Sequence, residues 1–453
     1  MVEYANVHFA LEAMRQDAKA TSRDGPRVLI LGPEDAGKTS LTKILTGYAT
    51  KAGRQPIVVN LDPTEGMLSV PGTLTATAFR SMIDVEEGWG SSPMSGPSPV
   101  PVKLPLVYFY PLQSPFDADG SIYKPIMSRL ALSVTGRMAE DDDAREAGII
   151  VDTPGILSQG KAGALEMIHH IVTEFCSRPP SYSTRWIPLF SLNKLTISIV
   201  STILIIGSER LYSTMVKNYD NKPPSSASAA ASDERISVVK LSKSGGCVDR
   251  DAAFMKSLRE SQIRTYFFGI SIPSTASSAL SLSASSSATK ITLSPHAQQL
   301  DFDSFAVYNY AVVTADEEED EYDPSQFGAS DSLLPGDTDP IPGQQEDVSS
   351  AGAGLASNSQ LSLTPSSSEV PLKRVTSPPQ PALSNTLLAI THVPPNTSPP
   401  DIRDASVMGF LYVADVDADR SKIRVLAPIG GRTPARALVW GRKWPGEVIG
   451  LVG

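Results

Sequence analysis

Hydrophobic residues in this chain gather into short continuous runs, each closed by a glycine, a proline or an acid. The runs Val28-Leu29-Ile30-Leu31, Ile57-Val58-Val59 ahead of Asp62, Ile149-Ile150-Val151 ahead of Asp152, and Ile203-Leu204-Ile205-Ile206 ahead of Gly207 show no alternation. Unbroken apolar runs of this length predict strands buried on both faces, as in a parallel sheet. Residues 106–110 and 238–241 predict two more. Between the strands the spacing lengthens to that of a helix over 7–18, 123–138 and 249–266, and at Leu41, Ile44 and Leu45. Repeated strand–helix alternation predicts an α/β fold built on a doubly wound parallel sheet.

The pattern changes after residue 270. Residues 271–289 are almost entirely Ser, Ala, Thr and Leu, the composition of a linker. Strand-like segments resume near Lys290. They are interrupted by the acidic run Asp316-Glu317-Glu318-Glu319-Asp320-Glu321 and then by Ser/Pro/Gly-rich sequence, so about 316–379 is expected to be a disordered insert. Short strands follow at 386–390, 408–417 and 423–428, the last two joined by the turn Asp417-Ala418-Asp419-Arg420. The expected division is a lead-in over 1–25, a main domain over 26–270, the linker, and a smaller β-rich C-terminal domain over 290–453.

One connection carries chemistry. Gly32-Pro33-Glu34-Asp35-Ala36-Gly37-Lys38-Thr39-Ser40 fits G-x-x-x-x-G-K-[ST], between a predicted strand and a predicted helix. Glycines let backbone N–H groups turn inward around a phosphate, and the helix N-terminus adds partial positive charge. Gly32, Asp35, Ala36, Gly37, Lys38, Thr39 and Ser40 are therefore the candidate nucleotide-binding residues of a P-loop NTPase-like domain. Lys38 is expected to reach the β- and γ-phosphates of ATP or GTP, and the Thr39 hydroxyl to sit on Mg²⁺.

Two acids stand at carboxyl ends of predicted strands, the edge where open α/β sheets bind ligands. Asp152 is the candidate for holding a Mg²⁺-bound water near Thr39. Asp62 is a second metal-side acid or the base for an attacking hydroxyl. Either could instead cap the turn that follows it. Arg250, Lys256, Arg259 and Arg264 fall within 249–266. They read either as a lid bringing charge to a transferring phosphoryl group or as a solvated face paired with Asp249, Asp251 and Glu260.

Composition narrows the field. At 453 residues, with a prior of roughly 150 per domain, two or three domains are expected. The formal net charge of −10 gives no chain-wide basic field, so any RNA contact must come from a local patch. Cys176 and Cys247 lack metal-ligand spacing and fit a reducing compartment. The most membrane-like run, 195–207, is broken by Thr196, Ser198, Ser201 and Thr202 and is too short to span a bilayer. A soluble cytoplasmic or nuclear protein is expected, with no membrane partner.

The loop Gly32 to Ser40, the run Asn60-Leu61-Asp62-Pro63-Thr64-Glu65-Gly66-Met67-Leu68-Ser69-Val70-Pro71-Gly72-Thr73-Leu74, the segment Ser208-Glu209-Arg210-Leu211-Tyr212 and the strand Gly409-Phe410-Leu411-Tyr412-Val413 together resemble the polynucleotide-kinase-type ATP-binding subunit of pre-mRNA cleavage factor IA, most closely its fungal branch. The resemblance implies ATP with Mg²⁺, work in the nucleus in mRNA 3′-end cleavage and polyadenylation, and a stable partner, the cleavage-factor subunit that binds the tail of RNA polymerase II. It also implies contact with other 3′-end processing factors, and with RNA indirectly or weakly. Within that family some members phosphorylate RNA 5′-hydroxyl ends and others hold ATP without turnover.

Three departures shape the expectation. The family's β-rich N-terminal domain, which helps clamp adenine, is not found ahead of the 1–25 lead-in. The segment 176–199 has no family counterpart. It carries Trp186, Ile187, Leu189, Phe190, Leu192, Leu195 and Ile197, and reads as translated intron, as an interaction loop, or as an extra helix broken by Pro179, Pro180 and Pro188. Family kinases place a base-stacking tryptophan where this chain has Ile156. Stacking is worth roughly 1–3 kcal/mol per base, or about 5- to 150-fold in RNA occupancy. The expected role is a scaffold subunit that holds ATP as a structural ligand, the alternative being an RNA 5′-hydroxyl kinase with Asp62 catalytic. A GTPase switch is disfavoured, because no Asn-Lys-x-Asp motif is present.

Overall fold

The computed structural model describes residues 2–80, 104–176, 201–220, 236–269, 294–310, 372–448 and 451. The linker 271–289 lies outside them, as do all of the 176–199 segment but Cys176 and all of the 316–379 insert but its last residues from Leu372.

The first sheet is built from β1 (Arg27–Leu31), β2 (Ile57–Asn60), β3 (Thr73–Ala78), β4 (Leu106–Phe109), β5 (Ile149–Asp152), β6 (Ser201–Ile206) and β7 (Ile236–Leu241). Its helices are α1 (Val2–Thr21), α2 (Lys38–Lys51), α3 (Tyr123–Glu140), α4 (Asp142–Ala147), α5 (Ala164–Ile171), α6 (Glu209–Met215) and α7 (Ala252–Phe268). The strand order is β4-β3-β2-β5-β1-β6-β7. From β2 to β7 the neighbours run parallel, with Ile30 beside Asp152 and Asn60 beside Asp152, so the carboxyl ends of β1, β2 and β5 share one edge. All five residues of β1 are buried, as its unbroken apolar run requires. Val28 and Ile30 meet Leu11 of α1 and Leu41 and Leu45 of α2 in one core cluster. Fully burying each such side chain contributes about 1.5–3 kcal/mol.

The doubly wound parallel sheet expected from the sequence carries an antiparallel addition at one edge. β3 pairs antiparallel to β2, and β4 antiparallel to β3, which makes the sheet mixed. β3 reads Thr-Leu-Thr-Ala-Thr-Ala and has no apolar run to announce it. It is buried because Thr73 donates its hydroxyl to the Val70 carbonyl at 2.7 Å and Thr75 to that of Met67 at 2.9 Å. Satisfied hydroxyls enter a core at little cost, whereas unpaired ones cost about 1–3 kcal/mol.

The C-terminal sheet holds β8 (His296–Asp301), β9 (Ala306–Tyr310), β10 (Leu372–Arg374), β11 (Leu387–Thr391), β12 (Val407–Asp417), β13 (Lys422–Ala427) and β14 (Ala437–Trp440), with α8 (Pro399–Arg403) beside it. Its order is β10-β9-β14-β11-β12-β13-β8. β12 and β13 form the predicted hairpin, and β14 runs parallel to β9. Leu388, Leu411, Val425 and Trp440 fill its core. Both sheets belong to one compact unit. Where they meet, Tyr266 on α7 packs edge-on to Phe410 of β12, Phe410 meets Phe109 of β4, and the Phe410 backbone N–H donates to the Tyr266 hydroxyl at 3.1 Å.

Candidate functional site

The loop between β1 and α2 is shaped by positions that refuse a side chain. A Cβ on Gly32 would lie 2.8 Å from the Ile206 carbonyl oxygen. Gly37 adopts φ +90°, the left-handed region, as the cap of α2. A Cβ there would also lie 2.8 Å from the Cys247 Sγ. Asp35 is left-handed as well, at φ 53°. Lys38, the first residue of α2, is buried, and its ammonium donates to the Pro33 carbonyl at 2.9 Å. Asp35, Gly37 and Lys38, together with Thr39, Ser40, Asp62 and Glu65, line a cavity of about 230 Å³. Its far wall comes from Gly246, Cys247, Val248 and Arg250, in the segment between β7 and α7.

Asp152 ends β5 beside Lys38 and Thr39 and is 1% exposed. Burial raises its pKa to about 7, although Lys38 and the hydrogen-bonding Thr39 hydroxyl pull the other way. Its Oδ1 is buried with no partner. An orphaned carboxylate oxygen beside a hydroxyl supplies the hard oxygen donors that Mg²⁺ and its water shell require, so these residues fit the cation. Asp62 follows β2 on the same edge. Its Oδ1 accepts from the Thr64 backbone N–H at 2.9 Å and from the Thr64 hydroxyl at 2.6 Å. Burial and the neighbouring Glu65 carboxylate raise its pKa, and the Thr64 bonds oppose them.

The three candidate lid arginines part company. Arg250 precedes α7 rather than riding on it, a correction to the predicted helix start that the Asp251 side chain explains by capping the Phe254 N–H at 2.7 Å. Arg250 crosses the cavity wall, with Nε on Asp35 at 2.6 Å and Nη2 on Glu65 at 2.6 Å, while its backbone N–H donates to Asp35 at 2.9 Å. Burial works against charge on Asp35, but these bonds outweigh it and hold the carboxyl below its usual range. Arg259 lies elsewhere, its guanidinium 4.8 Å from the Trp444 ring centroid. Arg264 is exposed on α7 and does not line the cavity. Sequence reasoning passed over Glu65 and Cys247 as site residues. Glu65 was legible as the second acid of the Asp62 turn, but Cys247 needed the fold to bring it over the loop.

A strand, a glycine loop, a buried lysine at the helix start and an acid at the end of the adjacent strand define a P-loop NTPase-like protein. Residues 32–175 match the family model for the mRNA cleavage and polyadenylation factor CLP1 P-loop, and residues 293–446 that for the pre-mRNA cleavage complex II protein Clp1. The mRNA cleavage and polyadenylation factor clp1 of Neosartorya fischeri is 71% identical over 459 residues, covering 100% of this chain and 78% of its own. That of Aspergillus fumigatus is 70% identical with the same coverage. A solved Clp1p–Pcf11p complex shares the fold at a TM-score of 0.67 and 24% identity, over 97% of this chain and 78% of that one. The chain belongs to the Clp1 family of mRNA cleavage and polyadenylation factors.

Proposed function

We propose that this chain is the nucleotide-holding scaffold subunit of the nuclear cleavage factor for pre-mRNA 3′ ends, with ATP·Mg²⁺ as a structural ligand in the Gly32 to Ser40 loop. The observation that carries the reading is the grouping of Lys38, Thr39 and the orphaned Asp152 Oδ1 at one sheet edge. When bound, the cation would supply positive charge that offsets the phosphates' negative charge. Lys38 would exchange its Pro33 carbonyl for phosphate, the backbone N–H groups after Gly37 would face the anion, and Thr39 and Asp152 would hold the hydrated cation.

The cavity suits a phosphate chain more than a whole nucleotide, and its phosphate-facing residues do not discriminate bases. ATP is favoured because the GTP-reading Asn-Lys-x-Asp motif is missing from the chain and because a fold neighbour is described in terms of ATP loss in a point mutant. That neighbour and its companion were solved with Pcf11p, which supports a Pcf11p-type subunit as the partner. The second reading, an RNA 5′-hydroxyl kinase, draws on Asp62 at the cavity.

The test is equilibrium binding of ATP·Mg²⁺ to the wild-type chain, followed by nucleotide analysis and co-purification with a Pcf11p-type subunit. Bound ATP that stays ATP, and a stable complex, are expected. No binding, or steady conversion to ADP, overturns the scaffold reading.

A further inference from the structure

The turn carrying Asp62 is anchored from outside its own sheet. The Pro63 carbonyl accepts two hydrogen bonds, from the Gly72 backbone N–H at 2.9 Å and from the Trp444 indole Nε1 at 3.0 Å. Trp444 belongs to the segment after β14 and is buried, with its ring against Gly72, where a Cβ would lie 3.3 Å from the indole Cδ1. At the other end of the turn, the Gln262 side chain on α7 treats Gly66 as a strand neighbour would. Its Oε1 accepts from the Gly66 N–H and its Nε2 donates to the Gly66 carbonyl, both at 3.3 Å. Gly66 itself admits no side chain, since a Cβ would lie 2.5 Å from the Ser69 carbonyl oxygen.

Between these anchors stands Glu65, which holds Arg250, which in turn holds Asp35 of the phosphate loop. Side chains that bond backbone fix where a turn sits, whatever residues it contains. We propose that Trp444 and Gln262 are positioning residues of the phosphate cavity, through which the C-terminal sheet and α7 set the turn over 62–66 and, by way of Glu65 and Arg250, the shape of the loop. This deepens the nucleotide reading above and rests on it for its ligand. By linkage, whatever steadies one end of this chain of contacts steadies the other by the same factor. Nucleotide in the loop therefore tightens the region around Trp444, and a disturbance at Trp444 loosens nucleotide.

Two variants that delete these bonds but keep an apolar side chain test it in the full chain. Trp444→Phe removes the indole N–H but leaves a ring and the Gly72 donor, and Gln262→Leu removes both bonds to Gly66. Each should weaken ATP·Mg²⁺ by about threefold to tenfold, the effect of one or two neutral hydrogen bonds. Backbone amide exchange at 62–66 should quicken in both without nucleotide. In an Arg250→Ala background Trp444→Phe should add little further loss, because the route through Glu65 is already cut. In the wild type, ATP·Mg²⁺ should slow exchange over 440–448, a response that a merely structural contact would not give. Unchanged affinity together with unchanged exchange at 62–66 in both variants overturns the proposal, as does full additivity with Arg250→Ala. A wild-type chain that binds no ATP overturns the nucleotide reading alone, and exchange at 62–66 then decides the positioning by itself.

Discussion

Lys38 donates its ammonium to the carbonyl of Pro33 at 2.9 Å, so the cation meant for phosphate is held inside the loop it serves. A single backbone carbonyl is a weaker partner for an ammonium than a phosphate anion, and the exchange is downhill once an anion arrives. Lys38→Ala should therefore lower ATP·Mg²⁺ affinity by about 10- to 100-fold, the range of a lost charged hydrogen bond. Thr39→Ala should weaken binding only when Mg²⁺ is present, because its hydroxyl serves the cation. Titrations with and without a chelator check both, and unchanged affinity in the two variants would remove the loop as the site.

Asp152 makes a prediction about pH. Its pKa of about 7 stands above the ordinary 3.8, so the folded state binds the proton more tightly than the unfolded one. Its contribution to stability is then fully present below about pH 4 and is lost as pH rises to about 7. Holding the proton that much more tightly when folded corresponds to about 4 kcal/mol. Without nucleotide, Asp152→Asn should melt several degrees above the wild type at pH 8 and close to it at acid pH. The same variant should bind ATP·Mg²⁺ less well, since the hydrated cation loses its carboxylate. Melting curves at both pH values test this, and a difference that does not change with pH counts against it.

Much of this was legible in the sequence, because the strands that position the site are buried on both faces and say so in unbroken apolar runs. The Gly32 to Ser40 loop and the two acids followed from residue type and spacing alone. What escaped was fixed by tertiary satisfaction. β3 is a threonine-rich strand whose hydroxyls happen to find carbonyls, and no pattern of hydrophobicity marks that. The lid arginines failed to separate for a similar reason. Their shared helical spacing hid the Asp251 cap, which leaves Arg250 in a loop while Arg259 turns to Trp444. Trp444 and Gln262 lie 381 and 196 residues from their partners Pro63 and Gly66, a separation that local reading cannot bridge.

Gly155 offers a steric test. A Cβ there would lie 2.6 Å from Glu34 Cγ, 2.7 Å from its N and 2.8 Å from its Cα. Two of these are backbone atoms of the phosphate loop, which must move to make room. Gly155→Ala should cost roughly 1–3 kcal/mol of stability and reduce nucleotide affinity as the loop shifts. Gly136 on α3 is the control, with nothing within 4 Å of its would-be Cβ. Gly136→Ala should leave affinity alone and stabilise by about 0.5–1 kcal/mol. If both variants behave alike in binding and melting, the close packing of Gly155 on the loop is not what shapes the site.

The acceptor side decides between scaffold and kinase. A general base for a 5′-hydroxyl needs a free, ionised carboxylate oxygen close to the γ-phosphate. Asp62 has Oδ1 engaged by both the backbone and the hydroxyl of Thr64, and burial and Glu65 press it toward the neutral form. Ile156, in the short helix Gly155–Ser158, offers no ring for a base to stack on. Transfer of labelled γ-phosphate onto a 5′-hydroxyl oligoribonucleotide should therefore stay at background. Asp62→Asn keeps an Oδ1 that can accept both Thr64 bonds, so the turn should survive and ATP affinity should change by less than about threefold. That makes the variant a clean probe of the base. Robust transfer by the wild type that disappears in Asp62→Asn would install Asp62 as a catalytic residue and make this chain a kinase.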